Sequence, residues 1–125
     1  KQKPSPKSYV EGQHHQAIEY RRVNPNLADM RSCIADGFPF VFCMPVYNSM
    51  MSDEVAITGM VPMPGPGDFV EGLHALKAVA YDDLARMVKF KGCWSKTWGR
   101  RGYGYLPYEF MSKHASDCWT VRVVE

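Results

Sequence analysis

Short apolar or alternating segments recur along most of the chain, and they predict β-strands rather than long helices. Residues 38–47 are the most continuous of these segments, rich in aromatic and β-branched side chains, and are expected to form a buried strand. Further strands are predicted at residues 18–23, 73–81, 88–91, 102–106 and 118–124. Alternation along the 73–81 segment predicts one shared strand face for four residues, which are His74, Leu76, Ala78 and Ala80.

One helix is predicted between the first two strands. Asn24 can cap it, Pro25 suits its first helical position, and Gly37 can end it. Its apolar residues recur at helical spacing, namely Leu27, Met30 and Ile34. Five strands then follow without a βαβ alternation, which favours an α+β fold with an antiparallel, barrel-like sheet and one helix before the first long strand.

The pattern divides the chain into a short tail and one domain. Residues 1–8 carry three lysines and two prolines without a large apolar side chain, and we expect a flexible basic tail. Residues 9–125 are expected to form a single domain, interrupted by an irregular surface excursion at residues 48–68. Because the chain begins at Lys1 without methionine, we expect a processed product or a piece whose true N-terminus lies upstream.

Composition narrows the class of partner. Fifteen basic and thirteen acidic residues give a net charge of +2 over 125 residues, too little for a nucleic-acid-binding protein, so no nucleic acid is expected. The apolar runs are far too short to cross a bilayer, so no membrane association is expected either. The cellular compartment stays open.

Histidine and cysteine spacing does not predict a metal site. The four cysteines lie at positions 33, 43, 93 and 118 without a close pair, whereas structural zinc ligands usually come in close pairs. Neighbouring strand residues face opposite ways, which argues against a site at His14 and His15. Free and mostly buried thiols are expected, and neither a metal nor a cofactor is predicted.

Four segments, in order, resemble the C-terminal half of papain-family cysteine peptidases. Residues 72–76 (GLHAL) resemble the Gly-Gly-His-Ala-Val strand that presents the catalytic histidine. Residues 92–99 (GCWSKTWG) are similar to the Asn-Ser-Trp-Gly-x-x-Trp-Gly segment, and residues 102–108 (GYGYLPY) to the glycine-tyrosine strand after it. Residues 117–122 (DCWTVR) resemble a closing strand of bacterial-type and viral members. The resemblance covers nearly everything after the tail and implies the barrel half of a papain-like fold.

The resemblance assigns roles to four positions. His74 matches the catalytic general acid/base, and Trp94 matches the tryptophan that shields the histidine's contact with the orienting asparagine. Gly92 takes the place of that asparagine, so no side chain holds the imidazole. Ala75, directly after the histidine, is carried over as a substrate-binding neighbour. In the family the nucleophilic cysteine belongs to the N-terminal half, which this sequence does not contain.

Three further residues complicate this interpretation. Lys77 and Lys89 interrupt apolar strand positions, which adds to the departures around the site. Cys93 is close to His74 in the expected fold, but alternation points its side chain away if position 92 points toward the histidine. We therefore interpret Cys93 as a buried thiol rather than a substitute nucleophile.

Two functions remain open. The first is a cysteine-peptidase-related domain that does not hydrolyse peptides alone, acting as a remnant or as the histidine-bearing subunit of a two-chain peptidase. It is an enzyme only if a partner chain supplies the cysteine. The second is a non-catalytic structural or protein-interaction module that reuses the half-fold. Either function predicts a peptide or protein partner, and an apolar face covered by a separate N-terminal-half chain or by a second copy.

Overall fold

The computed structural model describes residues 17–92 and 98–124, which form an open antiparallel sheet with two helices packed on one face. The strands are β1 (Ala17–Val23), β2 (Phe40–Tyr47), β3 (Val70–Asp82), β4 (Met87–Lys91), β5 (Tyr103–Pro107) and β6 (Ser116–Val124). The helices are α1 (Leu27–Ala35), α2 (Asp53–Thr58) and α3 (Tyr108–His114). No helix within these ranges has the length and apolar character needed to span a membrane.

The sheet order is β1-β6-β2-β3-β4-β5, and every pairing is antiparallel. The expected α+β class, the antiparallel sheet and the helix before the first long strand are confirmed. The sheet has six strands, and within the described residues it does not close into a barrel, because β1 and β5 are its two edges. The outer edge of β5 is met by the chain after α2, where Val61 N–H donates to Tyr105 O at 3.0 Å.

Alternation sorts the side chains into two faces. The inner face packs against α1 and α3 and carries the core, whose most buried members include Phe40, Phe42, Phe90, Leu106, Phe110 and Met111. The outer face carries the intervening residues and leaves five large hydrophobic side chains exposed, namely Ile18, Tyr20, Val41, Leu73 and Val121.

A bulge on β3 corrects one prediction. His74, Leu76 and Ala78 share the inner face as expected, but the register against β4 shifts between Ala78 and Ala80. Ala80 therefore lies opposite Lys89 on the outer face, and Tyr81 instead turns to pack against the core. An extra residue in one strand reverses the alternation beyond it, which periodicity alone does not reveal.

Helix α1 begins two residues later than predicted. Asn26, not Asn24, is the cap, and its side-chain oxygen accepts from the Asp29 N–H at 2.8 Å. Asn24 instead donates to the Asp29 carboxylate. At the other end, Gly37 has a φ of 96°, which favours glycine, and follows the helix as expected.

Two short helices were not predicted. The 48–68 excursion contains a 3-10 turn (Asn48–Met51) and then α2, which Ser52 caps through its hydroxyl and Gly59 ends at a φ of 73°. The serine followed seven residues later by glycine was the signal for α2. Helix α3 has no side-chain cap and is held instead by burial of Tyr108, Phe110 and Met111.

Tyr108 ties α3 to α1 and to the β3–β4 turn. Its ring is buried, and its hydroxyl donates to Asp83 Oδ1 at 2.6 Å. Arg31 on α1 donates to the same oxygen at 3.0 Å. Burial and the Asp83 contact raise the pKa of Tyr108 to about 12, so the hydroxyl stays protonated as a donor. The hydrogen bonds from Tyr108 and then Arg31 lower the pKa of Asp83.

Tyr108→Phe is expected to lower the free energy of unfolding by about 1 kcal/mol at neutral pH, because the ring is kept and the bond to a carboxylate is lost. A carboxylate with a lowered folded pKa contributes stability above its unfolded pKa and loses it as pH falls through the folded value. The difference between the variant and the parent should therefore shrink below about pH 4.

Chemical denaturation across this pH range measures the difference. Tyr20→Phe is the matched control, because the Tyr20 ring is 68% exposed and should give no change at either pH. A difference that stays constant into acid would contradict the assignment of the Tyr108 hydroxyl to the ionised Asp83.

Candidate active-site face

His74 lies on the inner face of β3, half-buried, directly opposite Met44 of β2. Met44 is 2% exposed, so the histidine sits where the closed core gives way to the surface. An imidazole at such a border can be held by packing on one side and remain open to a reactant on the other. Partial exposure of this kind is compatible with general acid/base chemistry.

Gly92 lies on the same face as His74. Lys91 pairs with Lys77, so the next residue along β4 comes level with Leu76, which is two residues from His74 on the inner face. Diagonal neighbours of this kind lie roughly 7–8 Å apart, within reach of a longer side chain. Extending the β4 register by one residue thus puts position 92 on the His74 side, where glycine carries no side chain.

Trp94, the predicted shielding residue, and Cys93 lie outside the described residues. The next motif residue, Trp98, is described and packs against Phe90 with ring centroids 6.0 Å apart. Gly104 leaves room for this pair, because a Cβ at that position would lie 2.6 Å from the Phe90 ring and 2.8 Å from the Trp98 ring. Core packing thus accounts for part of the aromatic run in this motif.

Ala75 lies on the outer face, opposite Cys43. It borders an open depression of about 270 Å³, which is lined by Val41, Ala75, Leu76, Lys77, Lys91 and Gly92. The structure thus brings two of the predicted site residues, Ala75 and Gly92, to one depression. His74 adjoins Ala75 in sequence, but its side chain points to the opposite face of the strand.

The described cysteines are poorly placed to serve His74 as a nucleophile. Cys33 is buried and its thiol donates to Phe38 O. Cys118 is 1% exposed, and burial followed by the nearby Asp117 charge raises the pKa of its thiol to about 11. Cys43 is half-buried on the outer face, away from His74. All three are free thiols, as expected.

The described part of the chain contains no candidate metal-binding site. Within residues 17–92 and 98–124, no three histidine, cysteine, aspartate or glutamate side chains converge on a position that would hold an ion. His14 and His15 lie outside these ranges.

Lys77 and Lys91 are a feature of this face that sequence reasoning missed as a pair. The sequence pattern marked Lys77 and Lys89 as interruptions of apolar strands and gave Lys91 no role. In the structure Lys77, Lys89 and Lys91 all lie on the outer face, so the apolar core alternation is intact. The cross-strand register is what brings Lys77 opposite Lys91.

The chain is similar to known cysteine proteases over almost all of its length. It is 35% identical to xylellain, a cysteine protease from Xylella fastidiosa, with a TM-score of 0.80; the match covers 99% of this chain and 47% of that one. A Carica candamarcensis cysteine protease, solved in complex with E-64, has 18% identity and a TM-score of 0.52, over 85% of this chain and 48% of its own. That second likeness concerns the fold alone.

A third relative is viral. A peptidase C1-like protein of Acanthamoeba polyphaga mimivirus is 30% identical over a gapped alignment of 132 positions. The alignment covers 98% of this chain and 42% of that protein. No family model matches the chain. The chain spans about half the length of the relatives it matches. The expected likeness to half of a papain-like cysteine peptidase is confirmed, and it is consistent with the C-terminal half.

Thiol labelling tests whether His74 activates a described cysteine. With iodoacetamide on the folded chain, Cys43 should react before Cys33 and Cys118, because it is the most accessible of the three and Cys118 ionises only at high pH. Replacing His74 by alanine should leave all three rates unchanged. Mass spectrometry of the peptides assigns each rate, and unfolded chain provides the reference. A slower Cys43 in the His74→Ala variant would contradict the assigned faces.

Proposed function

Because the chain is related to papain-like cysteine peptidases and corresponds to the C-terminal half of their fold, we propose that it forms the histidine-bearing side of a peptidase cleft. His74 is the general acid/base: it takes the thiol proton as the nucleophile attacks and returns a proton to the leaving amine. The half-buried position of His74 at the margin of the core is the observation that carries this proposal.

The nucleophile is supplied from outside the described residues. The proposal is supported by the three described thiols, two of which are buried while the third faces away from His74. Cys93 keeps its interpretation as a packing residue. The chain alone therefore does not hydrolyse peptides, and it gains activity only with a segment that presents a cysteine to His74.

Gly92 limits the activity of the completed site. Without an orienting side chain, the imidazole samples orientations and tautomers that do not transfer the proton, so fewer encounters are productive. Trp94 is assigned to shield the histidine from solvent, as the resemblance implies. The proposal therefore predicts a weakened peptidase rather than a fast one.

The partner of this half is proposed to meet the chain where His74 is partly exposed and to cover exposed apolar side chains of the sheet. Leu73 is 76% exposed and Tyr20 is 68% exposed, values that suit a surface normally in contact with another one. A separate chain carrying the cysteine half, or a second copy of this chain, is the proposed cover. Ala75, on the outer face, lies beside an open depression and is proposed to contact the substrate peptide there.

A second function is favoured by the same glycine. A domain without an orienting residue and with an exposed apolar face is also suited to binding a protein without cleaving it. In that role the half-fold is a non-catalytic interaction module, and His74 keeps only a packing role beside Met44.

A chimera separates the two functions. The matched segment of the Xylella protease is replaced by this chain, so that the cysteine half is present, and cleavage of a fluorogenic peptide is measured. The peptidase proposal predicts measurable kcat, a loss of about 10²-fold or more in His74→Ala, and a gain of about tenfold in Gly92→Asn.

His114→Gln is the matched control for the histidine, because His114 stacks on Phe110 of α3 and lies outside the proposed site. Thermal unfolding verifies that each chimera is folded. If the chimeras with Gly92 and with Gly92→Asn are both folded and both inactive, the result contradicts the peptidase proposal and favours the interaction module.

A further inference from the structure

Three lysines form a compact basic cluster on the outer face, consisting of Lys77, Lys89 and Lys91. Lys77 of β3 is directly opposite Lys91 of β4, so two like charges meet across the strands. Side chains in this relation have Cβ atoms about 4.5–5.5 Å apart, and like charges there destabilise a sheet. The repulsion between these lysines therefore lowers the stability of the folded state.

Tyr103 compensates part of this charge. The Lys89 and Lys91 ammonium groups lie 4.8 and 5.2 Å from the centre of its ring, within the range of a cation–π contact. Among the described aromatic rings, none makes such a contact with Lys77. Among the described residues, no carboxylate forms an ion pair with any of the three lysines; the four ion pairs there involve Arg21, Arg22, Arg31 and Lys113. The cluster keeps its positive charge available.

The depression beside Ala75 is lined by two of these lysines, Lys77 and Lys91. Two lysines and no acidic residue contribute to its lining, and its volume of about 270 Å³ suits one amino-acid side chain rather than a large ligand. Ala75 and Lys77 lie two residues apart on one strand face, roughly 7 Å along the strand. A peptide that passes Ala75 therefore brings a neighbouring side chain within reach of Lys77 and Lys91.

We propose that this depression binds the carboxylate of a glutamate or aspartate in an extended peptide, so that the chain selects acidic peptides. A carboxylate between Lys77 and Lys91 relieves their repulsion and pairs with both. The proposal rests on the proposed function for the passage of a peptide over Ala75. A nucleic-acid strand is disfavoured, because it needs a continuous basic track, whereas this chain carries a net charge of only +2.

Binding of two matched peptides to the intact 125-residue chain tests the proposal. One is a blocked hexapeptide with two central glutamates, and the other has glutamines in their place. In NMR titrations the glutamate peptide should shift the Ala75, Lys77, Lys91 and Gly92 amides and bind about tenfold more tightly than the glutamine peptide. Its affinity should fall with added salt, since the attraction lies at the surface.

Charge variants locate the contact. Lys77→Gln and Lys91→Gln should each weaken glutamate-peptide binding by about fourfold, and the double variant by about tenfold. Lys113→Gln removes the same charge on α3, where Lys113 pairs with Glu109, and should leave binding unchanged. Lys77→Glu should abolish binding while raising the thermal unfolding temperature, because it places opposite charges across the strands.

Three outcomes overturn the proposal: equal binding of both peptides, equal weakening by Lys113→Gln, or an oligothymidylate that displaces the glutamate peptide at equal concentration. The proposed function fails separately. If the acidic peptide binds through Lys77 and Lys91 but a folded chimera has no His74-dependent cleavage, the acidic site stands and the peptidase role does not. If cleavage depends on His74 without preference for acidic peptides, the reverse holds.

Discussion

The pairing register of β3 is the constraint on which the rest of the structure depends. Strand residues alternate strictly between faces, so a shift of one residue would exchange His74 with Ala75 and Leu76 with Lys77. The buried inner-face residues of β3, Leu76 and Ala78, hold the register, because a slip would turn them toward water. Core packing thus sets the faces on which His74 and Ala75 lie.

The same register separates the residues proposed for proton transfer from those proposed to contact the substrate. His74 and position 92 share the inner face, while Ala75 and the basic cluster share the outer face. In the proposed function a neighbouring body completes the site, because the substrate contact and the proton donor lie on different faces of β3. The chain spans about half of its relatives' length.

Much of this fold is predictable from the sequence, and the exceptions have physical causes. Apolar or alternating segments predicted all six strands, because most of the strands bury one face. Strand β1 is the exception, since Val23 is the single buried residue among its described side chains. Helices α2 and α3 were missed: six- and seven-residue helices carry little periodicity, and α3 is stabilised by tertiary burial of Tyr108. The roles assigned to His74 and Gly92 came from resemblance alone, since neither residue stands out by composition. The Lys77–Lys91 pair required a register that no single-strand pattern contains.

The departures of this chain from the peptidase pattern also divide by face. Glycine at position 92 removes an orienting group on the inner face and bears on proton transfer, whereas Lys77 and Lys91 add charge on the outer face and bear on binding. Gly92 also lines the depression that contains Lys77 and Lys91, so the two effects meet at position 92. In the proposed function, a missing side chain at position 92 weakens proton transfer and leaves both lysines in place. A cleft half of this kind would then keep its recognition surface while losing its peptidase activity.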